Sequence, residues 1–104
     1  MIHVIAVITA KPGKREEVLR HFRANVPNVR AERGCIEYGA AVDADPALPV
    51  QTKYGPETFV VVEKWENMDA LKAHAAALAL FISLLIGAFV ASYSATIGGR
   101  QRDD

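Results

Sequence analysis

The sequence is poor in the residues that build covalent or metal-bound frameworks. It holds one cysteine, Cys35, so no intramolecular disulfide can form and a cysteine-based zinc site would lack partners. Cys35 is read as a small, buried, apolar side chain. No histidine–carboxylate cluster has metal-ligand spacing, and there is no glycine-rich phosphate loop. No bound metal, flavin or nucleotide is therefore expected. The formal net charge is zero, which removes the electrostatic case for a nucleic-acid or anionic-membrane partner. Lys11, Lys14, Arg15, Arg20 and Arg23 do gather, but Glu16 and Glu17 interrupt them, as on a solvated helix face. No basic region precedes the apolar run of MIHVIAVITAKPG, which is unlike a secretory signal and makes the cytoplasm the expected location.

What is abundant is apolar. Hydrophobic residues make up 51% of the chain, too many for a disordered protein at zero net charge. The length, 104 residues, suits one domain. The uncharged stretch from Ala75 to Ala91 falls short of the roughly 20 apolar residues of a membrane-spanning helix. It also contains Gly87 and follows residues that already read as helix. It is read as a buried helix, a turn near Gly87 and a buried strand.

In chain order, Ile2 to Thr9 reads as a strand that is apolar on both faces. Lys11 to Lys14 form a turn, and a helix follows from about Lys14 to Glu32. Its stripe is Val18, Leu19, Phe22, Val26 and Val29. Pro27 predicts a kink or break, Gly34 a left-handed helix end, and His21 is a plain surface histidine. Cys35 to Val42 is the second strand, with Ile36, Tyr38, Ala40 and Val42 on one face. Asp43 to Pro56, with three prolines, is too long for an ordinary hairpin. It reads as a surface excursion, with a cavity-covering role as the alternative.

Thr58 to Trp65 is the third strand. Phe59, Val61, Glu63 and Trp65 share a face, and Glu63 is read as a surface or interfacial ion-pair partner, with orientation of His74 as the alternative. Asn67 caps the next helix, whose stripe is Met68, Leu71, Ala75 and Leu78; His74 falls on its margin. Phe89 to Ile97 is the last strand. One domain is expected over residues 1–97, with a disordered tail over 98–104.

The order β-α-β-β-α-β predicts an α+β, ferredoxin-like fold with a four-stranded antiparallel sheet. Two helices cover one face of such a sheet. The other face, apolar on the first and third strands, predicts a homodimer closed face to face into a barrel.

Three segments in this order resemble the antibiotic biosynthesis monooxygenase (ABM) family. They are Ala10-Lys11-Pro12-Gly13-Lys14 entering the first helix, Val29 to Tyr38 entering the second strand, and Glu63-Lys64-Trp65-Glu66-Asn67-Met68-Asp69-Ala70-Leu71-Lys72-Ala73-His74. The resemblance implies a dimeric α+β barrel and, among members of known activity, cofactor-independent oxidation of quinols or anthrones by O2. Such chemistry needs a base, an apolar pocket and an aromatic surface. His74 is the candidate base, because an ordinary imidazole titrates near neutrality. Trp65 offers a ring face for stacking. Tyr38 and Tyr93 are candidates for hydrogen bonding a substrate oxygen, and Phe59 for lining the pocket. His74 and Trp65 are thus the expected catalytic pair, and Tyr38, Tyr93 and Phe59 the expected substrate-binding set.

The chain departs from the family where a second histidine often stands, at Ala79. It also departs around Ile5 and Ala6, where haem-degrading relatives carry asparagine; this speaks against haem degradation. The alternatives are a non-catalytic ligand-binding dimer and a proton-transfer isomerase.

Overall fold

The computed structural model describes residues 1–85 and 87–99, except the side chains of Leu80, Ile82 and Leu84. Its elements are β1 (Ile2–Ala10), α1 (Arg15–Arg30), β2 (Cys35–Ala41), β3 (Thr58–Trp65), α2 (Met68–Leu85) and β4 (Val90–Gly99). The expected α+β order is present. The four strands form one antiparallel sheet in the order β2-β3-β1-β4.

Register decides what faces the helices. Ile8 pairs with Phe59, Ala6 with Val61, Val4 with Glu63, and Ile2 with Trp65. Side chains alternate along a strand, so these residues share one face. That face carries the core, with Val4, Ala6, Ile8, Phe59, Val61 and Trp65 buried against Val18, Leu19, Phe22 and Val29 of α1 and Leu71 of α2. The opposite face presents Ile5, Val7, Val60 and Val62, which are half-buried or exposed.

Four expectations are corrected. First, α1 runs through Pro27 and ends at Arg30. Pro27 lies in the last turn on the exposed side, so only one helical hydrogen bond is forgone. Second, β2 carries a bulge between Cys35 and Glu37. The extra residue, Ile36, turns outward and is 49% exposed, while Tyr38 points into the core at 4%. Ile36 therefore does not share the face of Tyr38. Third, β4 is an exposed edge. Of its residues Val90 alone is buried. Its pairing continues through Gly98 with His3 and Gly99 with Ile2, two residues beyond the expected end; residues 100–104 lie outside the described range. Fourth, the buried stripe of α2 runs through Leu71, His74, Leu78, Phe81 and Leu85, while Met68 and Ala75 are exposed. His74 therefore stands on the inner face, not at its margin.

Asn67 does cap α2, its Oδ1 accepting from the Ala70 amide at 2.9 Å. Gly87 forms the turn after α2 with φ +89°. No helix among the described residues is long and apolar enough to cross a membrane.

Gly34 locks the two halves together. Its φ is +84°, and a Cβ placed there would lie 2.5 Å from the Ala70 Cβ of α2. Its carbonyl accepts from the Glu66 amide at 2.8 Å. Gly34→Ala combines a strained backbone with a clash and is expected to destabilise the protein by about 1–3 kcal/mol. Gly13, also at positive φ, has no atom within 4 Å of an added Cβ. Urea denaturation should rank Gly34→Ala well below Gly13→Ala, and equal losses would disprove the close approach as the cause.

Candidate active site

β3 ends in alternating inward residues, Phe59, Val61, Glu63 and Trp65, so a carboxylate lies inside an apolar row. Glu63 is 4% exposed, not a surface ion-pair residue. Its Oε1 accepts a hydrogen bond from Trp65 Nε1–H at 2.9 Å. Two turns into α2, the His74 ring stacks on Trp65 with centroids 4.6 Å apart and 30° between planes. Tyr38 meets the same imidazole edge-on at 5.5 Å.

The imidazole lies between two carboxylates. Its Nδ1 is 2.9 Å from Glu32 Oε2 and its Nε2 is 3.7 Å from Glu63 Oε1. Glu32 is held in the turn after α1, where its amide donates to the Val29 carbonyl and its carbonyl accepts from the Cys35 amide. A carboxylate can only accept, so the contact with Glu32 places a proton on Nδ1. Nε2 is buried and has no hydrogen-bond partner among the described residues. Imidazole nitrogens point in opposite directions, so one metal ion could not take Glu32, His74 and Glu63 together. Among the described residues no group of three or more His, Cys, Asp or Glu is placed to hold a metal.

An apolar cavity of about 40 Å³ opens beside Glu63, between the sheet and the helices. Tyr38, Phe59 and Tyr93 line it with Glu63, and Phe22, Phe81 and Leu85 contribute to its helix side. Phe22 stacks on Tyr38 at 5.1 Å and tilts against Phe59 at 5.9 Å, which stiffens the aromatic wall. The three expected substrate-binding residues thus meet around one space. His74 and Trp65 are not among its walls. Trp65 is wholly buried and its ring is covered by the imidazole, so no face is free for another aromatic. His74 instead borders a separate cleft of about 280 Å³ between α1 and α2, with Asn25, Asn28, Glu32 and Phe81. None of the Asp43–Pro56 loop lines the cavity beside Glu63. The loop is pinned on itself, Asp43 accepting from the Tyr54 and Gly55 amides at 3.0 and 2.9 Å.

Burial pushes the Glu63 carboxyl above its usual range. The Trp65 hydrogen bond and the neighbouring His74 pull it down, and Glu32 adds to the rise. Burial, with Glu63 nearby, also raises the Tyr38 and Tyr93 phenols, so both remain neutral hydrogen-bond donors near pH 7. Glu63 is the chemical group that sequence reasoning undervalued. Its signal was its phase, shared with Phe59, Val61 and Trp65. Glu32 left no local signal, because its contact with His74 spans 42 residues.

With fold and site in view, comparison with known proteins defines the class. The antibiotic biosynthesis monooxygenase family model matches residues 1–79, and the chain belongs to that family. The protein named probable quinol monooxygenase YgiN, from Escherichia coli strain K12, is 38% identical over 76 residues, covering 71% of this chain and 72% of that protein. Among solved structures, PA3566 from Pseudomonas aeruginosa is 28% identical with a TM-score of 0.74, covering 97% of this chain and 94% of that one. SO0527 from Shewanella oneidensis is 25% identical with a TM-score of 0.78, covering 93% and 87%.

The raised Glu63 carboxyl has a consequence for stability. A carboxyl with a folded pKa above its unfolded value favours the folded state when protonated. That contribution is complete below the unfolded pKa and is lost as pH rises through the folded one. Glu63→Gln keeps an acceptor for Trp65 but cannot ionise. Its stability relative to wild type should therefore rise as pH climbs from about 4 towards neutrality. Thermal denaturation across that range checks this, and a variant that loses ground with rising pH contradicts it.

Proposed function

We propose that the protein is a cofactor-independent monooxygenase that oxidises a small electron-rich aromatic, of the quinol or anthrone type, with O2. One observation carries this reading: a single buried carboxylate, Glu63, faces an apolar, aromatic-walled cavity and is backed by an imidazole. Family membership and the quinol monooxygenase name of the E. coli relative support it.

The chemistry follows from the groups in place. Glu63 takes the phenolic proton, and the electron-rich anion passes one electron to O2. Superoxide and the semiquinone combine at a ring carbon to form a C–O bond. Loss of that carbon's proton with cleavage of the O–O bond leaves a new carbonyl and water. A quinol plus O2 thus becomes a hydroxyquinone plus water. The substrate supplies all four electrons, so no external reductant is consumed. Tyr38 and Tyr93 donate hydrogen bonds to substrate oxygens, and Phe59 packs against the ring. His74 and Trp65 act through Glu63, from behind the cavity wall.

Two further points belong to this reading. The cavity is smaller than the roughly 150 Å³ that suffices for benzene, so admission of a ring parts its half-exposed walls, Phe81, Leu85 and Tyr93. The active form is a homodimer, its apolar sheet faces of Ile5, Val7, Val60 and Val62 closed against each other. Light scattering at micromolar concentration should give twice the chain mass; a stable monomer removes this part. The small cavity also favours a second reading, a dimer that binds an aromatic ligand without turnover.

Oxygen uptake with a panel of quinols and anthrones tests the main proposal. Wild type should consume one O2 per substrate, and Glu63→Gln should lower kcat by about 10²–10⁴-fold. No uptake with any substrate, alongside thermal stabilisation by the same compounds, supports the binding reading instead. Turnover that persists without oxygen points to a proton-transfer isomerase.

A further inference from the structure

The cavity beside Glu63 is almost wholly apolar, and its two phenols are held neutral. A buried carboxyl in such a place favours its proton, yet it must shed that proton to act as a base. Apart from Glu63 itself, the cavity walls carry no group that readily takes up a proton, since the two phenols are neutral. The back of Glu63 does, because His74 Nε2 is buried, lacks a hydrogen-bond partner among the described residues, and faces Glu63 Oε1 at 3.7 Å. The other ring nitrogen is already bonded to Glu32, at 2.9 Å. Glu32, 29% exposed, borders the cleft between α1 and α2 with Asn25 and Asn28. The three groups therefore link the apolar cavity to the separate α1–α2 cleft, where Glu32 is part-exposed.

We propose that Glu63, His74 and Glu32 form a proton path that sets the ionisation of Glu63 from the α1–α2 cleft, with Glu32 a positioning residue acting through His74. This rests on the functional reading above. In the first step the Glu63 O–H bond breaks and Nε2–H forms, which leaves an imidazolium between two carboxylates. The imidazolium then loses its Nδ1 proton through Glu32 to water in the cleft, or returns the Nε2 proton to the reacting oxygen by way of Glu63. No oxidant or reductant is involved. A shift of less than 1 Å brings Nε2 and Oε1 to about 2.8 Å, the range of a charge-assisted hydrogen bond. The other titratable groups around the path are Tyr38 and Cys35 on β2 and Tyr93 on β4. Burial raises all three, so they stay neutral near pH 7 and leave the proton to the carboxylate–imidazole series.

Glu32→Gln tests the path, because its amide oxygen still accepts from Nδ1–H but cannot carry the proton onward. The expected result is a kcat about 10²-fold lower, with KM for the quinol unchanged and the kcat–pH profile displaced. Glu32→Ala should recover turnover on addition of formate or acetate, which the cleft can admit. A Glu32→Gln enzyme with wild-type kcat and pH profile overturns the proposal. A second measurement does not depend on turnover. In ¹³C NMR spectra the pH titration of the Glu63 carboxyl should shift in Glu32→Gln; a titration indifferent to that change overturns the path. Absence of oxygen uptake by wild type would instead remove the functional reading, and the ¹³C titration of Glu63 would still decide the path.

Discussion

The constraint on which the site depends is a carboxylate buried in an otherwise apolar strand face. Glu63 follows Phe59 and Val61 inward and precedes Trp65, so the register of β1 and β3 leaves it no outward choice. An ionised carboxylate without partners in that position would be severely destabilising. Trp65 Nε1–H meets one of its oxygens, and the imidazole of His74 lies beyond the same oxygen. Those partners dictate their own neighbours. The imidazole needs an acceptor for its second nitrogen, which Glu32 supplies, and a flat surface, which Trp65 supplies. One polar residue on a strand thus determines what must stand on α2 and in the turn after α1.

That turn reaches α2 only because of Gly34. The absence of a side chain there lets the backbone approach Ala70, and the Gly34 carbonyl ties down the start of the α2 segment at Glu66. Glu32 lies two residues before this contact and His74 four residues after Ala70, about one helical turn. A packing contact with no chemistry of its own thereby sets the distance between two titratable groups. The bulge at Ile36 does related work on β2. It restores the phase that turns Tyr38 inward beside Glu63, its partner across the strands.

Most of the fold was legible in the sequence because it rests on local signals. Strand alternation, the Asn67 cap, the positive φ of Gly34 and the order of elements each left a mark within a few residues. The errors came from tertiary effects. Pro27 was tolerated because it lies in an exposed last turn. β4 looks like a core strand by composition, but it stands at the sheet edge and is paired on one side only. The α2 stripe was misplaced because alanines and leucines surround the helix, and only contact with Trp65 and Tyr38 selects the face that contains His74. In the site, Tyr38, Phe59 and Tyr93 were legible as cavity residues. The placement of Glu63 at the cavity with His74 behind it was not, since it depends on which side of the imidazole each carboxylate occupies.

The same placement bears on how a reaction with oxygen could be contained. Dioxygen is apolar, and an anion that reduces it must be formed where water is excluded. The polar groups of the cavity are Glu63 and the phenols of Tyr38 and Tyr93, while residues such as Ile8, Val18, Leu85 and Val90 make the rest hydrocarbon. On the proposed reaction, proton transfer and electron transfer take different ends of one small space. A base placed directly on the wall with open access to solvent would bring water to the oxygen end. On the proposed path, the proton leaves by the imidazole and by the outer carboxylate in a separate cleft rather than through the cavity. On the proposed reaction, that separation lets an apolar cavity hold a superoxide–semiquinone pair long enough for the C–O bond to form.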